Sequence, residues 1–87
     1  MKINGEFILR EVVDEYVLIA VGDTALKFNG IIGLNPVSAC IWKNLQEEKS
    51  REELLEAILD EFEVTREEAE KDMDEFLDQL REKELLV

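Results

Sequence analysis

Phe28-Asn29-Gly30-Ile31-Ile32-Gly33-Leu34-Asn35-Pro36 is the stretch on which the fold turns. Asn29-Gly30 lies between apolar residues and both tolerate positive φ, which is the strongest short-range signal for a hairpin. Ile31–Leu34 is then a short, uncharged, apolar run that reads as a strand. Asn35-Pro36 ends it by offering a helix start: an Asn N-cap, and Pro at the first helical position, where its missing N–H is no loss. The chain therefore changes from strands to helices at this point.

Toward the N-terminus the sequence reads as strands. Phe7–Val13 is rich in Ile, Leu, Val and Phe and breaks at Asp14-Glu15, a pair that suits a tight hairpin. Tyr16–Val21 is a continuous apolar run, too short for a helix and rich in β-branched residues. Gly22-Asp23 ends it. Ala25–Phe28 fits either a fourth short strand or an ordered connection.

Toward the C-terminus three helices are expected. The first spans Pro36–Gln46. Ser50-Arg51-Glu52-Glu53 is a capping box that opens the second, which continues to Phe62 with Leu54, Leu55, Ile58, Leu59 and Phe62 on one stripe. Thr65-Arg66-Glu67-Glu68 repeats the box, with Val64 and Ala69 spaced as a hydrophobic staple. The third helix continues to Lys83 with the stripe Ala69, Met73, Phe76, Leu77 and Leu80, its acids mostly on the other face. Leu85-Leu86-Val87 is an apolar tail suited to packing back. The fold class is α+β and winged-helix-like: an N-terminal three-stranded antiparallel sheet followed by three helices.

Eighty-seven residues make one small domain, read here as spanning 1–87, with a thin core and no interior for a large cofactor. The chain carries 10 Lys+Arg, 22 Asp+Glu, no His and one Cys, for a net charge of −12. That charge repels a phosphate backbone and speaks against nucleic acid as a partner. It is uneven: residues 1–46 hold 5 acids and 4 bases, which leaves 17 acids and 6 bases after them. Without His and with a single Cys there is no imidazole base, disulfide or cysteine zinc cluster. A hydrophobic fraction of 46% is too high for a disordered acidic tail. No apolar run approaches the roughly 18 residues of a membrane span. Met1–Glu6 lacks the apolar core of a signal peptide, so a cytoplasmic, non-enzymatic protein without cofactor or metal is expected.

Most candidate sites have a plainer explanation. The carboxylates are spread along helix faces among Lys and Arg, not paired in a cleft. Asp72, Asp74 and Glu75 lack the glycine turn and register of a calcium loop. Cys40 has no histidine to activate it and reads as a small core residue. Ser38 sits near a helix start, but Val37-Ser38-Ala39 and the strand-forming front half do not fit an acyl carrier protein. Gly22, Gly30 and Gly33 form no phosphate loop, and Trp42 reads as a packing anchor. Two features remain. One is Ile31–Leu34, an uncharged edge in an open meander, where edges are ordinarily blunted by charge or Pro. The other is the broad stripe of the third helix with its adaptable Met73. An uncharged edge and an apolar helix suit strand addition by an extended peptide, although Ile31, Leu34, Phe76 and Leu80 also fit a plain core role.

Phe28-Asn29-Gly30-Ile31-Ile32-Gly33-Leu34-Asn35 followed by Ala39-Cys40-Ile41-Trp42 resembles the PqqD family, named for the small protein D of pyrroloquinoline quinone biosynthesis. The shared pattern is an apolar strand ending in Leu-Asn or Leu-Asp, then a helix bearing Ile-Trp, then two Glu-rich helix starts and a Leu-rich end. The likeness extends over nearly the whole chain. Pro36-Val37-Ser38 departs from the commoner Glu-Thr-Gly or Glu-Thr-Ala. The resemblance implies a non-catalytic peptide chaperone that binds the leader of a ribosomally made precursor peptide and presents it to a modifying enzyme, often a radical S-adenosylmethionine enzyme. It implies that the leader pairs with Ile31, Ile32, Gly33 and Leu34 and contacts Met73, Phe76, Leu77 and Leu80. Partners are then the leader and the enzyme, with no nucleic acid and no membrane, the protein being monomer or homodimer. The alternatives are a structural adaptor or dimerising subunit and a winged-helix DNA-binding regulator, the latter opposed by acid-rich helices where a recognition helix needs Lys, Arg, Asn or Gln.

Overall fold

The computed structural model describes residues 1–28 and 30–87. Its elements run β1 (Phe7–Val12), β2 (Glu15–Ala20), α1 (Gly22–Lys27), β3 (Ile31–Leu34), α2 (Pro36–Asn44), α3 (Arg51–Glu61) and α4 (Arg66–Glu82). The three strands form one antiparallel sheet in the order β1-β2-β3, as the α+β reading expects. The chain divides into two compact units, Gly5–Pro36 and Met1–Asn4 with Val37–Val87.

In the sheet unit, β1 and β2 join through Val13 and Asp14, both at positive φ (37° and 63°). That is the conformation a two-residue hairpin loop needs. The expected turn, Asp14-Glu15, is thus displaced by one residue, because Glu15 already pairs with Val12. The expected Ala25–Phe28 strand or connection is instead the back of the short helix α1. Gly22, at φ +59°, turns the chain out of β2, and the Phe28 amide donates to the Thr24 carbonyl at 2.8 Å to close a helical turn. The Thr24 hydroxyl accepts from the Glu6 amide at 2.7 Å, so a residue distant in sequence holds this turn in place. Phe7 and Phe28 meet edge to face at 5.9 Å. The Asn29-Gly30 hairpin falls partly outside the described residues, since Asn29 is not among them; β3 pairs with β2.

In the helical unit, α3 is opened by a complete capping box. The Ser50 hydroxyl accepts from the Glu53 amide and the Glu53 carboxylate accepts from the Ser50 amide. Thr65 caps α4 by accepting from the Glu68 amide at 3.1 Å. Leu54, Leu55 and Ile58 of α3 and Ala69, Met73, Phe76, Leu77 and Leu80 of α4 are buried stripes of the expected helical period, and the two helices pack together. Ala39, Cys40, Ile41 and Trp42 of α2 are buried as well. Residues 1–4 run as a strap between two distant segments. The Ile3 amide donates to the Leu45 carbonyl, the Asn4 amide to the Leu85 carbonyl, and Lys2 and Val87 exchange both backbone bonds. The Leu85–Val87 tail packs back through this strap.

Candidate functional site

The alternation of a strand sorts the sheet into two faces. Phe7, Leu9, Tyr16, Leu18, Ile32 and Leu34 share one face, with Leu18 and Leu34 buried. Ile8, Ile19 and Ile31 are paired in register across the other and form one apolar row; Ile8 is 43% exposed and Ile31 66%. Next to it runs the row Arg10, Val17 and Gly33. This outward apolar row was not picked out as a unit by the sequence reading. Its signal was the unbroken apolar run Tyr16–Val21, because a strand that is apolar at every position is apolar on both faces.

β3 lies at the end of the sheet, and among the described residues no strand pairs with its other side. Its backbone is short, uncharged and open, the condition in which an edge accepts another chain. Ile31 points outward and is exposed, Ile32 is half-buried, Gly33 is exposed and Leu34 is buried. At the Leu34 end, Tyr16, Val17, Gly33, Leu34 and Pro36 line an open recess of about 350 Å³ together with Asp14 and Glu15.

The other four expected contact residues are in the helical unit. Met73, Phe76, Leu77 and Leu80 are between 0% and 3% exposed, so in the structure they hold α4 in the interior and are not an exposed surface. On the solvent side of α4, Asp74 is occupied by Arg51 through two bonds of 3.1 and 2.8 Å. Arg66 bridges two acids, donating from Nη2 to the Glu52 carboxylate and from Nε to Glu70. Glu52, Glu70 and Asp74 thus serve as part of an ion-paired, solvated helix face. Among the described residues no three His, Cys, Asp or Glu side chains group as metal ligands. Cys40 is buried, and burial, reinforced by the neighbouring Glu61, pushes its thiol up to about 12. At neutral pH it is a protonated, unreactive core group. No helix among the described residues is long and apolar enough to cross a membrane.

No curated protein matches the chain. A solved structure titled "TbiB1 in Complex with the TbiA(beta) Leader Peptide" is similar over 99% of this chain and 94% of its own, at 36% identity and a TM-score of 0.71. The sequence model of the family described as Coenzyme PQQ synthesis protein D (PqqD) covers residues 15–86, from the first residue of β2 to the apolar tail, and the chain belongs to that family.

Proposed function

We propose that the chain is a non-catalytic leader-peptide-binding protein, acting as a single domain over residues 1–87, and that an extended segment of a ribosomally made precursor adds as a strand beside β3. The observation that carries this reading is the open, uncharged edge Ile31–Leu34 in a protein similar, end to end, to one solved with a leader peptide. Strand addition draws its affinity from main-chain hydrogen bonds and its specificity from alternate side chains. Ile31, Ile32, Gly33 and Leu34 are the pairing edge. Met73, Phe76, Leu77 and Leu80 enter the reading as the packed stripe that holds α4. The protein then hands the precursor to a modifying enzyme in the cytoplasm. That this enzyme is a radical S-adenosylmethionine enzyme rests on the family resemblance alone.

The test is an amide titration of isotope-labelled protein with the leader of the precursor encoded beside it. Shifts concentrated in Gly30–Leu34 support the reading. A spectrum unchanged up to the solubility limit of the peptide, both alone and with the neighbouring enzyme present, refutes it. The net charge of −12 adds a second expectation: association with a basic leader weakens as salt rises.

A further inference from the structure

Gly33 occupies the outward face of the edge strand, opposite Val17 and in the row that begins at Arg10. Among the described residues nothing calls for glycine there. Gly5, Gly22 and Gly30 have positive φ, and Gly33 does not. A Cβ built on Gly33 meets no atom within 4 Å outside its own chain neighbours. Glycine in a strand interior is destabilising by about 0.5–1 kcal/mol relative to Ala. β3 pairs with β2 in an unbroken register, so no bulge accounts for this glycine, and a close approach by another chain or ligand is the usual reason left. On that face Val17 is the cross-strand neighbour of Gly33, and both residues are among those that line the recess at this end of the sheet.

We infer that Gly33 is a specificity position: its missing side chain leaves a notch in the peptide-binding edge that receives one aromatic or long aliphatic side chain of the added strand. The inference rests on the strand-addition reading above. On neighbouring strands, directly opposed Cβ atoms lie only about 4.5–5.5 Å apart, so a peptide residue beside Gly33 is within reach of the notch. A large ring laid over an edge glycine restores the packing that the glycine forgoes. Ile31, on the same face and 66% exposed, supplies an apolar wall on one side. Asp14 and Glu15, which line the same recess, disfavour an acidic side chain by like charge.

The experiment pans a random peptide library displayed on phage against the wild-type protein, then compares the enriched peptides on Gly33→Ala and Gly33→Val. Enriched peptides that shift the Gly30–Leu34 amides should carry an aromatic or long aliphatic residue at one fixed position and no Asp or Glu there. Gly33→Val should melt no lower than wild type, because the added side chain enters open space. It should bind those peptides about tenfold more weakly, the scale of overpacking a filled site. Gly33→Ala should show a smaller loss. Trimming the bulky peptide residue to Ala should erase the difference between Gly33→Val and wild type. Equal binding to all three proteins, with the β3 amides still shifting, overturns the notch and leaves strand addition standing. Failure of any enriched peptide to shift the β3 amides overturns strand addition, and the notch with it. The amide spectrum of each free variant establishes that it is folded, and Gly33→Ala carries the comparison if Gly33→Val is not.

Discussion

Arg51, the first residue of α3, holds Asp74 in the middle of α4 through two parallel bonds, Nε to Oδ1 and Nη2 to Oδ2. The hydrogen bonds from Arg51, with its charge, keep the Asp74 carboxyl below the usual aspartate value of 3.8. A carboxylate depressed on folding contributes stability above its unfolded pKa and loses it as pH falls through the folded one. Wild-type stability should therefore decline below pH 3.8, and Asp74→Asn should decline less. Both partners are about half exposed, so at neutral pH the loss in Asp74→Asn should be small and should shrink further in high salt. Denaturant melts at two pH values and two salt concentrations check this.

Leu77 and Ile31 separate folding from binding. Leu77 is 1% exposed, and Leu77→Ala should lower stability by about 2–5 kcal/mol, as large-to-small core changes do. Ile31→Asp should change stability by about 1 kcal/mol or less, since the residue is exposed and its neighbour in the row is Ile19. It should nevertheless abolish the peptide-induced shifts in Gly30–Leu34, because charge on an edge blocks pairing. Melting curves and amide titrations of the two variants should give opposite patterns.

Val13 is a β-branched residue at φ 37° and is 87% exposed, so the hairpin loop contains strain with no packing to offset it. Asn tolerates this region far better. Val13→Asn should raise stability by about 1 kcal/mol, the lower end of what a strained backbone position stores. A melting temperature unchanged or lowered would count against that account.

Burial raises the Cys40 thiol from 9.0 to about 12. An acid whose folded pKa is raised contributes stability that is complete below the unfolded value and is lost as pH climbs through the folded one. Stability should fall between about pH 9 and 12, and Cys40→Ala should flatten that slope. At neutral pH a thiol reagent should leave Cys40 unmodified in the folded protein and label it in denaturant.

What could be read beforehand was what is local. The Ser50 box and the Thr65 cap follow from side chains and amides three residues apart, so sequence spacing shows them directly. The α4 stripe was legible as a stripe, because period reports which face is apolar. Period does not report whether that face is covered, and Met73, Phe76, Leu77 and Leu80 proved to be interior. Helix α1 was missed because six residues show no helical period, and what holds it is the contact of Thr24 with Glu6, eighteen positions away. The Gly33 recess was missed for a similar reason: Tyr16 and Leu34 become neighbours only through the β2-β3 register.

The strap formed by Lys2, Ile3 and Asn4 makes the start of the chain a late and global reporter. Its amides are held by carbonyls of Leu45, Leu85 and Val87, all distant in sequence. Contacts across such separations require closure of long loops and so form late in folding. Chain ends ordinarily fray first and exchange their amide hydrogens freely. Here, slow hydrogen–deuterium exchange at Ile3 and Asn4 would be set by the opening of the helical unit as a whole, so two residues beside the N-terminus would gauge the integrity of a core more than forty positions away.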